Sequence, residues 1–205
     1  MNEIMAHIKN RRSRRSFLDT KIPDETVEKI IEAGRYAPSA LNKQPWKFIV
    51  IANKDSIKKL SGIVKSITAK ILKLLPVLKI LKKELRNRQI IGALQKTISD
   101  DADTVFYSAP LLILLVSDKN AGPYASRDCA LASQNMMLYA HSLEIGSCFI
   151  GRADFLMRSG EAKDIIGLPP RHKIQAAVVF GRAPHENHAP AAPARKKDNI
   201  INWVR

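Results

Sequence analysis

Residues 37–51, "APSALNKQPWKFIVI", change character halfway. Pro38 and Pro45 bracket a polar loop holding Ser39, Asn42 and Gln44. Proline fixes φ and lacks an N–H, so both prolines favour a turn over a helix. From Trp46 to Ala52 the chain is aromatic and β-branched, which reads as a strand. Upstream, Val27, Ile30, Ile31 and Gly34 recur at i, i+3, i+4 and i+7, predicting an amphipathic helix over 24–36. Pro23 suits its first turn, and Asp24 and Glu25 suit the positive end of its dipole. The stretch is therefore a helix–loop–strand joint.

The same reading extends outward. Ile4, Met5 and Ile8 form a short helical stripe. Asn53 caps a short helix, "KDSIKKL". Ala109–Ser117 is a buried strand, and Ser126–Gly146 is a long helix, apolar nearly all round and so central. "SCFIG" is a short strand or extended loop, "GEAKDIIGLPP" is a helix stopped by Gly167, and His172–Gly181 is a strand. "APHENHAPAAPARKKD" is an extended arm, and the chain closes on "NIINWVR". Strands separated by helices give a mixed α/β class in which helices cover a sheet. The chain has 205 residues, so one domain over 1–205 is expected.

Lys and Arg number 34 against 19 Asp and Glu, a formal charge of +15. Such a charge suits an anionic partner: nucleic acid, an acidic membrane surface or a phosphorylated ligand. A generally basic proteome would give it too. The charge concentrates in residues 61–100, a basic helical insert with nine Lys and Arg and two acids. There Ile67, Ile71, Leu74, Leu75, Leu78 and Leu81 have helical spacing, and Pro76 interrupts the run. The two cysteines, Cys129 and Cys148, sit in apolar surroundings without a CxxC spacing and are expected to be buried thiols. No signal-peptide pattern and no run of 18 apolar residues is present, so a cytoplasmic location is expected.

Side-chain catalysis finds no complete set. GxGxxG, the P-loop, HExxH and GxSxG are all absent. "DDAD", Asp100–Asp103, reads as a solvated turn before a strand. His141 on the central helix reads as a core or interface histidine, and His185 and His188 lie in the proline-rich arm with no partner pattern, so no metal site is expected. An enzyme of this composition needs a cofactor to carry its chemistry.

Four segments in order carry one resemblance: "RRSRRSF" (Arg11–Phe17), "APSALNKQPWKFIVI", "ASQNMMLYAHSLEIGSCFIG" (Ala132–Gly151), and "VVFGRAP" with "PARKKDNIINWV". Together they resemble the nitroreductase family of FMN-dependent oxidoreductases over residues 3–60 and 105–205. The resemblance implies an α/β (α+β) nitroreductase-like fold: a mixed, mainly antiparallel sheet covered by helices on both faces, in an intertwined homodimer. It implies FMN as cofactor and NADH or NADPH as reductant. Hydride then passes, ping-pong, to a small electron-poor acceptor such as a nitroaromatic or quinone.

Residue by residue, Arg11, Arg12, Ser13 and Arg15 supply guanidinium forks and a hydroxyl for the FMN phosphate and the flavin O2/N1 edge. The other reading of this stretch is a solvated basic turn, to which alternation assigns Arg14. Pro38, Ser39, Asn42 and Gln44 match the loop that reaches the flavin of the other subunit, or simply make a tight turn into the strand. Phe149, Ile150, Gly151 and Arg152 match the stretch whose backbone lies against the ring, with catalysis by the flavin N5 and by no side chain. For Phe149 a buried strand end fits as well. Arg195 and Lys196 match a second phosphate-binding cation, and Asn135 fits the family pattern or a structural role. The insert suits a lid or a dimer-covering helical pair, an anionic membrane surface, or a packed pair with a solvated face. Two other functions stay open: an FMN protein reduced by another protein, and a basic nucleic-acid-binding protein. The second lacks any helix-turn-helix, zinc-finger or RNP-like pattern.

Overall fold

A computed structural model describes residues 2–76, 87–184, 194–195 and 204. The helices are α1 (Glu3–Asn10), α2 (Asp24–Arg35), α3 (Lys54–Lys73), α4 (Arg88–Ser99), α5 (Ala125–Ser142) and α6 (Gly160–Ile166). The strands are β1 (Lys47–Ile51), β2 (Leu111–Asp118), β3 (Gly146–Phe149) and β4 (His172–Gly181). They form one sheet in the order β1-β2-β4-β3, antiparallel throughout.

β2 is apolar at every early position because both of its faces are covered. Leu111, Ile113 and Leu115 pack with Val27, Ile30 and Ile31 of α2 and with Cys129, Ala132 and Met136 of α5. Leu112, Leu114 and Val116 pack on the other face with Ile57, Leu60 and Val64 of α3 and with Val105 and Phe106. β4 alternates between the same two layers up to a bulge, where Leu115 faces Ala176 but Val116 faces Ile174. Gln175 fills the extra position and donates through Nε2 to Ser117 Oγ at 2.6 Å. Helices thus cover both faces of the sheet, as the sequence predicts. Cys129 and Cys148 are free and buried, and burial pushes the Cys129 thiol up to about 12.

The expectation of a short helix after Asn53 is overturned. The Asn53 side chain does accept the Ser56 N–H at 2.8 Å, but α3 then runs 20 residues. Ile57, Leu60, Val64 and Thr68 continue one buried stripe. Buried Thr68 satisfies its hydroxyl on the Val64 carbonyl at 2.7 Å. The first half of the basic insert is therefore a continuation of α3. α4 packs back on it through buried Leu94 and Thr97. Ile67 and Ile71 are half-buried and Leu74 is exposed, while Leu78 and Leu81 lie outside the described residues. No helix among the described residues is long and apolar enough to cross a membrane.

Asp103 organises the turn ahead of β2. Its carboxylate accepts the backbone N–H groups of Val105, Phe106 and Ser108 and the Ser61 hydroxyl. This confirms a structural turn in "DDAD" and explains how Tyr107 and Ser108 hold left-handed φ values of 60° and 49°.

Candidate functional site

The arginine stretch lies along the outer edge of β3. Ser13 bridges Ser147 in parallel, and the Arg14 N–H donates to the Ser147 carbonyl at 2.9 Å. This contact covers part of an otherwise open strand edge. It also places Arg11, Ser13, Arg15 and Arg152 around the Cys148 side chain. Burial raises the Cys148 pKa, while Arg15, a side-chain hydrogen bond with Ser13, Arg11 and Arg152 pull it back down. Arg15 is exposed, with its guanidinium 6.0 Å from the centre of the Tyr107 ring.

The assignment of Arg14 to solvent does not hold. Arg14 is half-buried, and its stem covers Gly146 so closely that a Cβ there would sit 2.8 Å from Arg14 Cγ. Alternation fails because Ser13 alone makes a bridge and the stretch is not a regular strand. Arg12 is committed to the end of α1, donating through Nη1 to the carbonyls of Lys9 at 2.6 Å and Arg11 at 2.8 Å.

Arg11, Arg12, Arg14, His141, Glu144 and Ser147 line a cavity of about 250 Å³ behind this edge. Two polar atoms there, Arg11 Nη1 and Ser147 Oγ, are buried without a hydrogen-bond partner among the described residues. A buried donor without an acceptor is costly, so these atoms mark a place prepared for one. Burial lowers the Arg11 pKa; Cys148 opposes this, and Arg12 and Arg195 lower it further. Arg195 thus returns to the Arg11 neighbourhood from the far end of the chain. Lys196 lies outside the described residues, as do His185, His188 and the proline-rich arm between them.

His141 makes an edge contact with His7, ring centres 5.5 Å apart. Burial lowers its pKa, with His7, Arg11, Arg14 and Arg12 adding to the effect. A histidine held below its ordinary 6.5 contributes stability that is present above that value and is lost as pH falls through the lowered one. His141→Gln should therefore flatten the acid side of a plot of unfolding midpoint against pH. An unchanged slope would remove His141 as its source.

At the end of β3, Cys148 and the following Ile150 are buried and Phe149 is exposed within the chain, so Phe149 is not a buried strand end. A Cβ added at Gly151 would meet no atom within 4 Å. The glycine is therefore not needed for packing within the chain, and its own backbone is exposed, whereas the N–H of buried Ile150 already donates to the Ala177 carbonyl at 2.8 Å. The Arg152 guanidinium turns away to α4 and the turn before β2. It donates to the Thr104 carbonyl at 2.9 Å and to the Ala93 carbonyl at 3.4 Å.

Pro38, Ser39, Asn42 and Gln44 form a second, separate group. Leu41, Asn42 and Gln44 all have left-handed φ, at 55°, 52° and 44°. Three such residues without glycine need outside support. Ser39 Oγ accepts the Gln44 N–H at 3.0 Å, Asn42 Oδ1 accepts from Gln44 Nε2 at 2.8 Å, and buried Asp128 accepts the Ala40 N–H at 3.3 Å. Asn135 donates to the Ala33 carbonyl at 3.3 Å, a structural tie between α5 and α2.

The fold does not bring these two groups together in one chain. The loop is held by Asp128 in the first turn of α5, whereas the Arg11 cavity is lined by His141 in its last turn. At 1.5 Å per residue those turns are about 20 Å apart. Sequence reasoning missed Ser147, Tyr107 and the side-chain role of Arg152. Nothing local marks them, since each acquires its neighbours only through tertiary packing.

Similar proteins agree on what this scaffold is. The sequence pattern of the nitroreductase family matches residues 8–182. A Methanothermobacter thermautotrophicus protein, provisionally named an NADH dehydrogenase/NAD(P)H nitroreductase, is 27% identical over 188 residues, covering 90% of this chain and 79% of its own. The 4-nitrobenzoate reductase of Pseudomonas putida is 29% identical over 195 residues, covering 87% and 84%. A crystal structure of a nitroreductase with bound FMN from Bacteroides fragilis superposes with a TM-score of 0.80 at 26% identity over the full length of both chains. With the family pattern spanning most of the sequence and the same fold recurring over its full length, the chain belongs to the nitroreductase family.

Proposed function

We propose that the protein is an FMN-dependent oxidoreductase that takes hydride from NADH or NADPH and passes it, ping-pong, to a small electron-poor acceptor such as a nitroaromatic or quinone. The observation that carries this reading is the buried Arg11 Nη1, without a hydrogen-bond partner among the described residues, close to Arg195 and in the lining of a cavity of about 250 Å³. FMN, when bound, supplies a ring that accepts and releases hydride equivalents at N5. Arg11 and Arg195 would hold its phosphate, joined by the free Ser147 hydroxyl, which the sequence does not single out. Arg15 is placed to favour negative charge on the ring's O2/N1 edge. The open backbone at Gly151 leaves space for the ring itself.

Pro38, Ser39, Asn42 and Gln44 complete the site from a second subunit, a reading supported by the ~20 Å between the two ends of α5. Ile4, Met5 and Ile8 are 68%, 44% and 48% exposed, so α1 also offers an apolar face for a partner. The chain then acts as one domain in the cytoplasm, and Arg152 secures α4 of the basic insert as a lid. Nucleic-acid binding is disfavoured because Arg11, Arg12 and Arg14 are half-buried within the fold and do not form a free arm.

Anaerobic titration of FMN-loaded protein with NADH and NADPH tests the reading. The flavin absorbance should bleach and return on adding a nitroaromatic or quinone. Bleaching by dithionite but by neither nicotinamide would instead indicate reduction by another protein. At Gly151 the expected result of Gly151→Val is an unchanged unfolding midpoint of the FMN-free protein with FMN affinity lowered at least ~10-fold. Equal FMN affinity in the two proteins would remove the ring from that backbone.

A further inference from the structure

A second cationic cavity, of about 390 Å³, opens where β1 begins, β2 ends and β4 begins. Lys43, Lys47, His172, Asp118 and Asn120 line it. It is distinct from the Arg11 cavity within the chain. His172 starts β4 and Phe180, opposite Ser147, nearly ends it, a span of about 27 Å at strand rise.

Three observations point to a ligand. Both His172 ring nitrogens are buried without a hydrogen-bond partner among the described residues, an arrangement that a folded protein seldom leaves uncompensated. Neither Lys43 nor Lys47 makes a hydrogen bond or close ion pair among the described residues. Lys43 sits between the left-handed residues Asn42 and Gln44, and this strained loop brings its ammonium beside Gly122 at the cavity rim. Asp118 is the one acid in the lining, and it is already engaged: Oδ1 accepts the Asn120 N–H at 2.8 Å and Oδ2 lies 3.4 Å from Arg171 Nε. Asp118 also interacts electrostatically with His172 and Lys47, so one carboxylate stands against Lys43, Lys47 and Arg171, and the surplus is positive, which suits an anion.

We propose that this cavity binds a phosphate group, supplied by the 2′-phosphate of NADPH or as free phosphate. The NADPH assignment rests on the proposed function. The cavity is built on the same loop that carries Ser39, Asn42 and Gln44 to a flavin, so a dinucleotide reducing that flavin has its adenosine end within reach of Lys43 and Lys47.

The test uses FMN-loaded protein, in which the Arg11 cavity is filled. Inorganic phosphate should shift the His172 ring nitrogen resonances saturably, and Lys43→Ala/Lys47→Ala should abolish the response. Both lysines are exposed, and an unchanged unfolding midpoint confirms that the double variant folds. The same variant should raise KM for NADPH at least ~10-fold with kcat unchanged, and leave KM for NADH unchanged. A phosphate response without that difference assigns the site to free phosphate. A wild-type His172 that ignores both phosphate and NADPH overturns the proposal. Because the phosphate titration needs no turnover, a protein that no nicotinamide reduces would refute the oxidoreductase reading and still test this site.

Discussion

Arg11→Ala is expected to raise the dissociation constant for FMN by about 10- to 100-fold while leaving the FMN-free protein no less stable. The two halves follow from one observation, that Arg11 Nη1 is buried with no acceptor among the described residues. In the free protein that nitrogen has lost water and gained no acceptor, so removing it costs little and relieves a desolvated donor. A bound phosphate changes the account. A charge-assisted hydrogen bond contributes about 1.5–3 kcal/mol, which is the stated range in affinity. Arg11→Lys should fall between, since it keeps the charge and loses the fork. The measurement is FMN fluorescence titration beside thermal unfolding of the FMN-free protein. Wild-type affinity in Arg11→Ala would place the phosphate elsewhere. A collapse of the FMN-free protein would make Arg11 a structural residue.

The helix–loop–strand joint at 24–51 was legible because each part has a local cause. α2 follows the 3.6-residue period of Val27, Ile30 and Ile31, and Trp46 and the β-branched run after it start the strand where predicted. β4 matched end to end for the same reason. The length of α3 was not legible, since stopping a helix needs a breaker and the sequence offers none before Pro76. Gly62 is no breaker here: it lies on the exposed side, where a Cβ would meet nothing. α3 ends at Lys73 with a turn at Leu74, and the backbone is helical again at Leu75 and Pro76, where proline suits a first turn.

For the site, the sequence indicated the residue types and the resemblance assigned their roles. Neither revealed that Arg14 packs on Gly146, that Ser147 waits unpartnered beside Arg11, or that Arg152 is spent on the Thr104 and Ala93 carbonyls. Those facts depend on which strand edge the arginine stretch lies against. The separation of the two residue groups along α5 is likewise a property of the fold. It changes the reading most, because it is the ground for proposing that one chain holds half a site.

That half-site geometry gives the second large effect, a restoration of activity by mixing two inactive proteins. Arg11→Ala disables the phosphate side. Ser39→Ala/Asn42→Ala disables the loop side by removing the acceptors that hold Gln44. Each alone should retain under about a tenth of wild-type turnover at limiting FMN. In a two-fold dimer every site takes its phosphate side from one chain and its loop side from the other. A heterodimer of the two variants then has one site with both lesions and one with neither. Random pairing makes half the dimers heterodimers, so about one quarter of all sites become intact, and turnover should recover to roughly that fraction. If both groups served a flavin within one chain, no pairing could create an intact site, and the mixture would stay as inactive as its components. Unfolding and refolding the two variants together, with tagged chains to verify heterodimers, separates these outcomes. Recovery requires the groups to act across an interface, the arrangement that their positions at opposite ends of α5, at Asp128 and His141, led us to propose. No recovery in verified heterodimers would remove the Pro38–Gln44 loop from the flavin site of the other subunit.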